Sequence, residues 1–335
     1  MPITSVLKDH ENLTMTVVAE FAAPVRRLWD AYADPRQLEK FWGPEGWPAA
    51  FTRHDMYVGG RSHYYLTGPE GERSYGWWEF LAVDQGRSFE VTDGFAESDG
   101  SPNPELPTMR MTYLFEECEA GSRLVATTYF NSVEELEQLL GMGMEQGLRS
   151  AMSQIDEVVE DLSSFAAGRA AEAQLLSDTQ VRIARVIRGS VQQVWDAHHD
   201  SGLLRRWLTG PEGWQFTDCQ VAGGVGETYR YAWADENGEN GFALTGEVLE
   251  SQPPFREVTT ESMEGFDGPA ARNEQTLTPV EGGTLLTLVI AYASQEQRDQ
   301  ILATGMTDGM EASYSRLEER ALSLNRAAPP HQRNR

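Results

Sequence analysis

Basic residues are scarce in this 335-residue sequence: 27 Lys+Arg stand against 52 Asp+Glu, a formal net charge of −25 that both halves share. A surface this negative repels phosphates, which argues against nucleic acid or an anionic membrane as partner. Cysteine is scarcer still. Cys118 and Cys219 stand one in each half, too few for a disulfide framework or a CxxC metal site. No run of ~18 apolar residues occurs, so no membrane span is expected. Met1 to Glu11 lacks the basic-then-apolar order of a signal peptide, and the expected compartment is the cytoplasm. Also missing are Gly-x-Ser-x-Gly, a phosphate-cradling glycine loop and a nucleotide fingerprint. The length suits two domains at ~150 residues each.

What is present is a repeat. Trp29-Asp30-Ala31 returns as Trp195-Asp196-Ala197, and Gly43-Pro44-Glu45-Gly46-Trp47 returns intact as Gly210-Pro211-Glu212-Gly213-Trp214. Further on, Leu124 pairs with Leu286, and Gly143-Met144 with Gly305-Met306. The order of matches holds over most of each half, so the chain is a duplicated domain. The expected bounds are 1–165 and 181–325. Between them, 166–180 is Ala-rich and polar and reads as a linker extending the preceding helix. The tail 326–335, with Pro329-Pro330 and three Arg, reads as disordered.

Each copy predicts the same elements. A strand (Thr14 to Phe21, repeated at Val181 to Ile187) alternates apolar and small residues. A short amphipathic helix follows Pro24, then a second short helix, then the GPEGW loop. Strands separated by Gly-rich turns come next. A long helix closes each copy, with Met144, Leu148, Met152, Ile155, Val159 and Leu162 at helical spacing in the first and Met306, Met310, Tyr314, Leu317, Ala321 and Leu324 in the second. The fold class is α+β: a curved antiparallel sheet wrapped around a long C-terminal helix, twice.

These motifs resemble a known family. Trp29, Asp34-Pro35, Phe41 to Trp47, Val58 to Arg61 and Gly68 to Gly71 match the pattern of homologues of the activator of the heat-shock protein 90 ATPase. The second copy matches at Trp195, Asp200, Trp207, Gly210 to Trp214 and Val225-Gly226, and departs at Ser201, Thr209 and Glu227. The family belongs to the START-like (SRPBCC) superfamily, with the helix-grip fold. The resemblance implies a cavity between sheet and C-terminal helix, often holding an apolar or aromatic small molecule. It implies chaperone activation more weakly, because a second copy stands here where the namesake has a separate chaperone-binding domain.

Strand alternation then assigns candidate ligand-binding residues. In the first copy these are Tyr64 and Leu66 on one strand, Met109, Met111 and Tyr113 on another, and Phe130 at the end of the last. Met144 on the helix and Trp47 in the GPEGW loop join them. In the second copy they are Tyr229, Tyr231 and Trp233, then Asn273 and Gln275, then Tyr292, Met310 and Trp214. Buried Asn273 and Gln275 need hydrogen-bond partners, so the two copies should differ in what they bind. The same stripes also suit an ordinary filled core.

Catalytic candidates are thin. Glu79 and Glu247 form the one matched acidic position on a sheet strand, read either as outward carboxylates or as buried general bases. His63 is expected to face solvent, and His198-His199 lacks ligands at metal spacing. No metal and no cofactor is expected. The functional expectation is a non-enzymatic carrier or sequestering protein for a lipid- or polyketide-like molecule. A polyketide-type cyclase or aromatase and a co-chaperone-like interaction protein are the alternatives.

Overall fold

The computed structural model describes residues 2–160, 170–210, 213–238, 240–265 and 268–322. The chain divides into two compact units, Met1–Ala166 and Ala167–Arg335. No helix among the described residues is long and apolar enough to cross a membrane.

The first unit opens with β1 (Ile3–Asp9) and β2 (Thr14–Phe21), then the short helices α1 (Val25–Ala33) and α2 (Pro35–Leu38). A meander of β3 (Ala49–His54), β4 (Arg61–Thr67), β5 (Arg73–Asp84), β6 (Ser88–Phe95), β7 (Thr108–Cys118) and β8 (Gly121–Tyr129) follows. Two helices close it, α3 (Val133–Gly141) and α4 (Met144–Glu160). The eight strands form one antiparallel sheet in the order β1-β2-β8-β7-β6-β5-β4-β3. Alternation holds along β2, where Met15, Val17, Ala19 and Phe21 are buried and their neighbours are not. Helix α4 lays Met152, Ile155 and Val159 into the core, as the helical spacing predicts.

The second unit repeats the plan. Its strands are β9 (Glu172–Leu175), β10 (Gln180–Ile187), β11 (Trp214–Gln220), β12 (Thr228–Asp235), β13 (Gly241–Gln252), β14 (Arg256–Met263), β15 (Ala271–Val280) and β16 (Gly283–Ala291). They form a second eight-stranded sheet, β11-β12-β13-β14-β15-β16-β10-β9. Its helices are α5 (Val191–His199), α6 (Ser201–Trp207), α7 (Gln295–Leu302) and α8 (Met306–Arg316), the last running into a wider turn over Leu317–Leu322. Caps explain the helix starts in both copies. Asp34 accepts from Arg36 N at 3.0 Å and Asp200 from Leu203 N at 2.8 Å, each opening the second short helix. Where the first copy has Pro24, the second uses a Ser190/Gln193 capping box.

One expectation changes, and three further elements are present. The stretch 166–180 is not a helical extension where it is described: β9 lies in it and pairs antiparallel with β10, while 166–169 lie outside the described residues. A four-residue edge strand of one apolar and three polar or small residues carries too little alternation to be read from sequence. The edge strand β1 and the helices α3 and α7 were also not anticipated; α3 and α7 start at Ser132 and Ser294, whose hydroxyls accept from Glu135 N and Gln297 N. Leu162, Leu324 and the tail 326–335 lie outside the described residues.

Candidate functional site

The inner face of the first sheet is filled with aromatic rings. Trp78 on β5 is fully buried and meets Trp42, Phe51, Phe80 and Phe89. Phe89 and Tyr113 stack at 4.5 Å, and Tyr32 from α1 packs against both. Tyr64 stacks on Phe51 at 5.0 Å and lies flat across Gly76, where any Cβ would sit 2.3 Å from its ring. Within this cluster Asp93 Oδ1 accepts from Trp78 Nε1–H at 2.7 Å and from the Tyr64 hydroxyl at 3.4 Å. Burial pushes the Asp93 carboxyl up to about 7, against the pull of those two donors. Met109, Met111, Tyr113 and Phe130 are buried in this packed interior, and Trp47, Leu66 and Met144 are half-buried around it. Met109, Met111, Tyr113 and Phe130 belong to the buried core of this unit.

The second unit keeps the frame and changes the filling. In matching register, Tyr32, Phe51, Trp78, Phe80, Phe89 and Tyr113 give way to His198, Cys219, Gly246, Val248, Glu257 and Gln275. Five rings and one tryptophan become smaller or polar groups, and four of the replacements, His198, Val248, Glu257 and Gln275, line a cavity of about 230 Å³. Its walls come from α5, α6 and the strands β12 to β16. Of the sequence candidates, Tyr229, Tyr231, Trp233, Asn273 and Gln275 line it.

Trp214, Tyr292 and Met310 do not. Trp214 packs against Phe242 at 5.6 Å, and Tyr292 is buried in a separate apolar cluster against which Met310 packs. The cavity therefore lies against the two short helices rather than the C-terminal one. Helix α8 instead delivers Tyr314 onto Trp207 at 6.1 Å and seals that side with core.

Sequence reasoning missed the polar half of the lining: His198, His199, Glu257, Thr259 and Glu261. His198 Nδ1–H donates to the Val194 carbonyl at 2.7 Å, and burial pushes its pKa down to about 4, which keeps the ring neutral. His199 stacks on Trp195 at 3.9 Å and donates through Nδ1 to the Trp195 carbonyl at 2.8 Å. Burial opposes charge on this ring, but Glu257 at 3.1 Å outweighs it and raises the pKa above its ordinary value. Glu261 stands in register with Asp93, so each copy carries one carboxyl at this point of the sheet. Burial raises Glu261, and hydrogen bonds from Asn273 and Tyr229 partly offset the rise. The signal that could have found it is the matched acidic position 93/261, hidden because Asp and Glu differ.

The carboxylates singled out from sequence face the other way. Glu79 is half-buried and pairs with Arg61 at 3.1 Å, and Glu247 is exposed. Both readings of these residues as buried bases are overturned, because their strand positions alternate with the inward Trp78 and Phe80, and Gly246 and Val248. His54 is a satisfied core residue, bonded to Ser62 Oγ at 2.9 Å and the Tyr32 carbonyl at 3.0 Å. No group of three or more His, Cys, Asp or Glu among the described residues is placed to hold a metal ion.

The family model described as Activator of Hsp90 ATPase homolog 1-like protein matches residues 22–160 and again 188–321. The chain belongs to this family. Among solved structures, a crystal structure of a Mycobacterium smegmatis protein is 48% identical, covering 48% of this chain and 98% of that one, with a TM-score of 0.45. A solution structure of an Arthrobacter aurescens protein is 43% identical over 47% of this chain and 92% of that one, with a TM-score of 0.45. An AHSA1-like protein of Aeromonas hydrophila is 18% identical over 47% and 99%, with a TM-score of 0.35. Each is about the length of one unit. No curated protein matches the chain.

Proposed function

We propose that the second unit is a receptor for one small, mainly apolar molecule, held in the cavity behind α5 and α6 for carriage or sequestration. The observation that carries this reading is the replacement of the aromatic filling of the first unit by smaller side chains around about 230 Å³ of open space. Concave, mostly apolar sites with a few placed polar groups are what small-molecule binding needs. Trp207 and Trp233 stand in the wall, with both indole N–H groups spent on the Ala197 and Leu208 carbonyls, so their fluorescence reports occupancy. Titration of the full chain with aromatic polyketides, sterols and naphthalene derivatives should quench or shift that emission and raise the melting temperature. Absence of any response across such a panel sinks the reading.

The comparisons favour a second reading, a co-chaperone-like interaction protein, because the only functional words they supply name an activator of the Hsp90 ATPase. Its test is binding of an Hsp90 homologue and stimulation of its ATPase by the full chain. No binding at micromolar concentration removes it. The cyclase alternative has lost Glu79 and Glu247 as its acid–base candidates, since both face solvent.

A further inference from the structure

The cavity of the second unit has a polar end of one character. Asn273 is 8% exposed, lines the cavity, and its side-chain oxygen has no partner among the described residues. Its amide N–H faces Glu261, which leaves the oxygen as an acceptor in want of a donor. The neutral ring of His198 has spent its N–H on Val194 and presents Nε2, a second acceptor. His199 and Glu257 balance one another across 3.1 Å, so Glu261 is the carboxyl without a counter-charge. Among the described residues, no lysine or arginine lines the cavity. The rings of Tyr229, Tyr231 and Trp207 supply faces to which a cation is attracted.

We infer that the ligand of this cavity is an organic cation, an aromatic or alicyclic body carrying a protonated amine that donates to Glu261 and to the free oxygen of Asn273. This rests on the small-molecule reading above and specifies its ligand class. An anion such as a fatty acid would face two carboxylates with only His199 to answer them, and a neutral hydrocarbon would leave the Asn273 oxygen unpaired at a cost. The same arrangement is absent from the first unit, where Asp93 is already bonded to Trp78 and Tyr64 inside a filled core.

Binding is coupled to protonation. Burial raises the Glu261 carboxyl above its ordinary value and a bound ammonium favours the carboxylate, so affinity should rise with pH as Glu261 ionises. The other titratable groups facing it are Tyr229 and Tyr231 on β12, His198 and His199 on α5, and Glu257 on its own strand. Tyr292 and Tyr314 feel its charge from farther off. The tyrosines stay protonated and His198 stays neutral over pH 5–8. Loss of the His199 proton, which the Glu257 pair raises above its ordinary value, removes a positive charge as pH rises and works in the same direction.

The test is isothermal titration of the full chain with three probes sharing one ring: 1-naphthylmethylammonium, 1-naphthylmethanol and 1-naphthoate. The ammonium should bind at least tenfold more tightly than the alcohol, with the naphthoate weakest, and should tighten from pH 5 to pH 8. Glu261→Gln should erase the preference for ammonium over alcohol while still binding the alcohol. Equal or better binding of the alcohol or the naphthoate to the unaltered chain overturns this inference and leaves the small-molecule reading standing. Binding of none of the three overturns both.

Discussion

The two sheets share strand order and the Asp cap of the second short helix, and they differ in what the concave face holds. In the first, Trp78, Phe80, Phe89 and Tyr113 interlock with Tyr32 from α1. In the second, Val248, Glu257, Gln275 and His198 stand at the places of Phe80, Phe89, Tyr113 and Tyr32 around open volume, and Gly246 takes the place of Trp78. One duplicated frame therefore carries two different fillings. A packed aromatic core maximises buried area and rigidity, whereas a cavity gives up dispersion contacts and must satisfy any polar group it exposes. A single glycine shift shows how little backbone change this took. Tyr64 lies over Gly76 in the first unit, and Tyr229 lies over Gly246 in the second, two residues along the paired strands.

The largest effect expected from breaking this contrast is at Trp78. Trp78→Ala removes the largest fully buried side chain and the donor to Asp93. It should destabilise the first unit by about 3–5 kcal/mol. Urea unfolding followed by hydrogen exchange assigns the loss to a unit. A loss below about 1 kcal/mol would mean that the aromatic cluster is not the core it looks to be.

The carboxyl under that cluster gives the next effect. Asp93 holds a pKa of about 7 in the folded protein against an ordinary value of 3.8, so the folded state binds a proton that the unfolded state releases. Its stabilising contribution is full below pH ~4 and is lost as pH rises through ~7. Asp93→Asn cannot titrate and lacks this slope. Between pH 4 and pH 8 the unaltered first unit should therefore lose about 4 kcal/mol relative to the variant. Carboxyls held low elsewhere, Asp9 and Glu145, act in the opposite sense in both proteins and cancel in the difference. Parallel pH profiles would show that Asp93 is ionised in the folded state.

How much of this contrast was legible in the sequence follows from what repeats record. Trp-Asp-Ala, GPEGW and the closing helices report the frame, and alternation on β15 placed Asn273 and Gln275 inward as found. Alternation says which face a residue takes but not whether that face is full. Met111 and Tyr113 obey the same parity as Asn273 and Gln275 yet are plain core, because the neighbours that fill the space come from α1, β5 and β6. His198, His199 and Glu257 were missed because their counterparts, Tyr32, Ala33 and Phe89, carry no charge to mark the position. A comparison by face, asking where a ring in one copy meets a polar group in the other, would have found the site.

That comparison also supplies the smallest and sharpest test. Glu257 and Gln275 are directly opposite on β14 and β15, as Phe89 and Tyr113 are on β6 and β7. The double variant Glu257→Phe, Gln275→Tyr transplants a pair that stacks at 4.5 Å in the first unit. It should shrink the cavity and weaken 1-naphthylmethylammonium at least tenfold, about 1.4 kcal/mol. The stability of the second unit should rise, since a buried aromatic pair contributes about 0.5–1.5 kcal/mol beyond its area. His199 loses its carboxylate partner in the variant, so its pKa falls back, and NMR titration of the ring reads that separately. Unchanged affinity with a measured rise in stability would place the probe elsewhere on the chain and end the assignment of the cavity as the receptor.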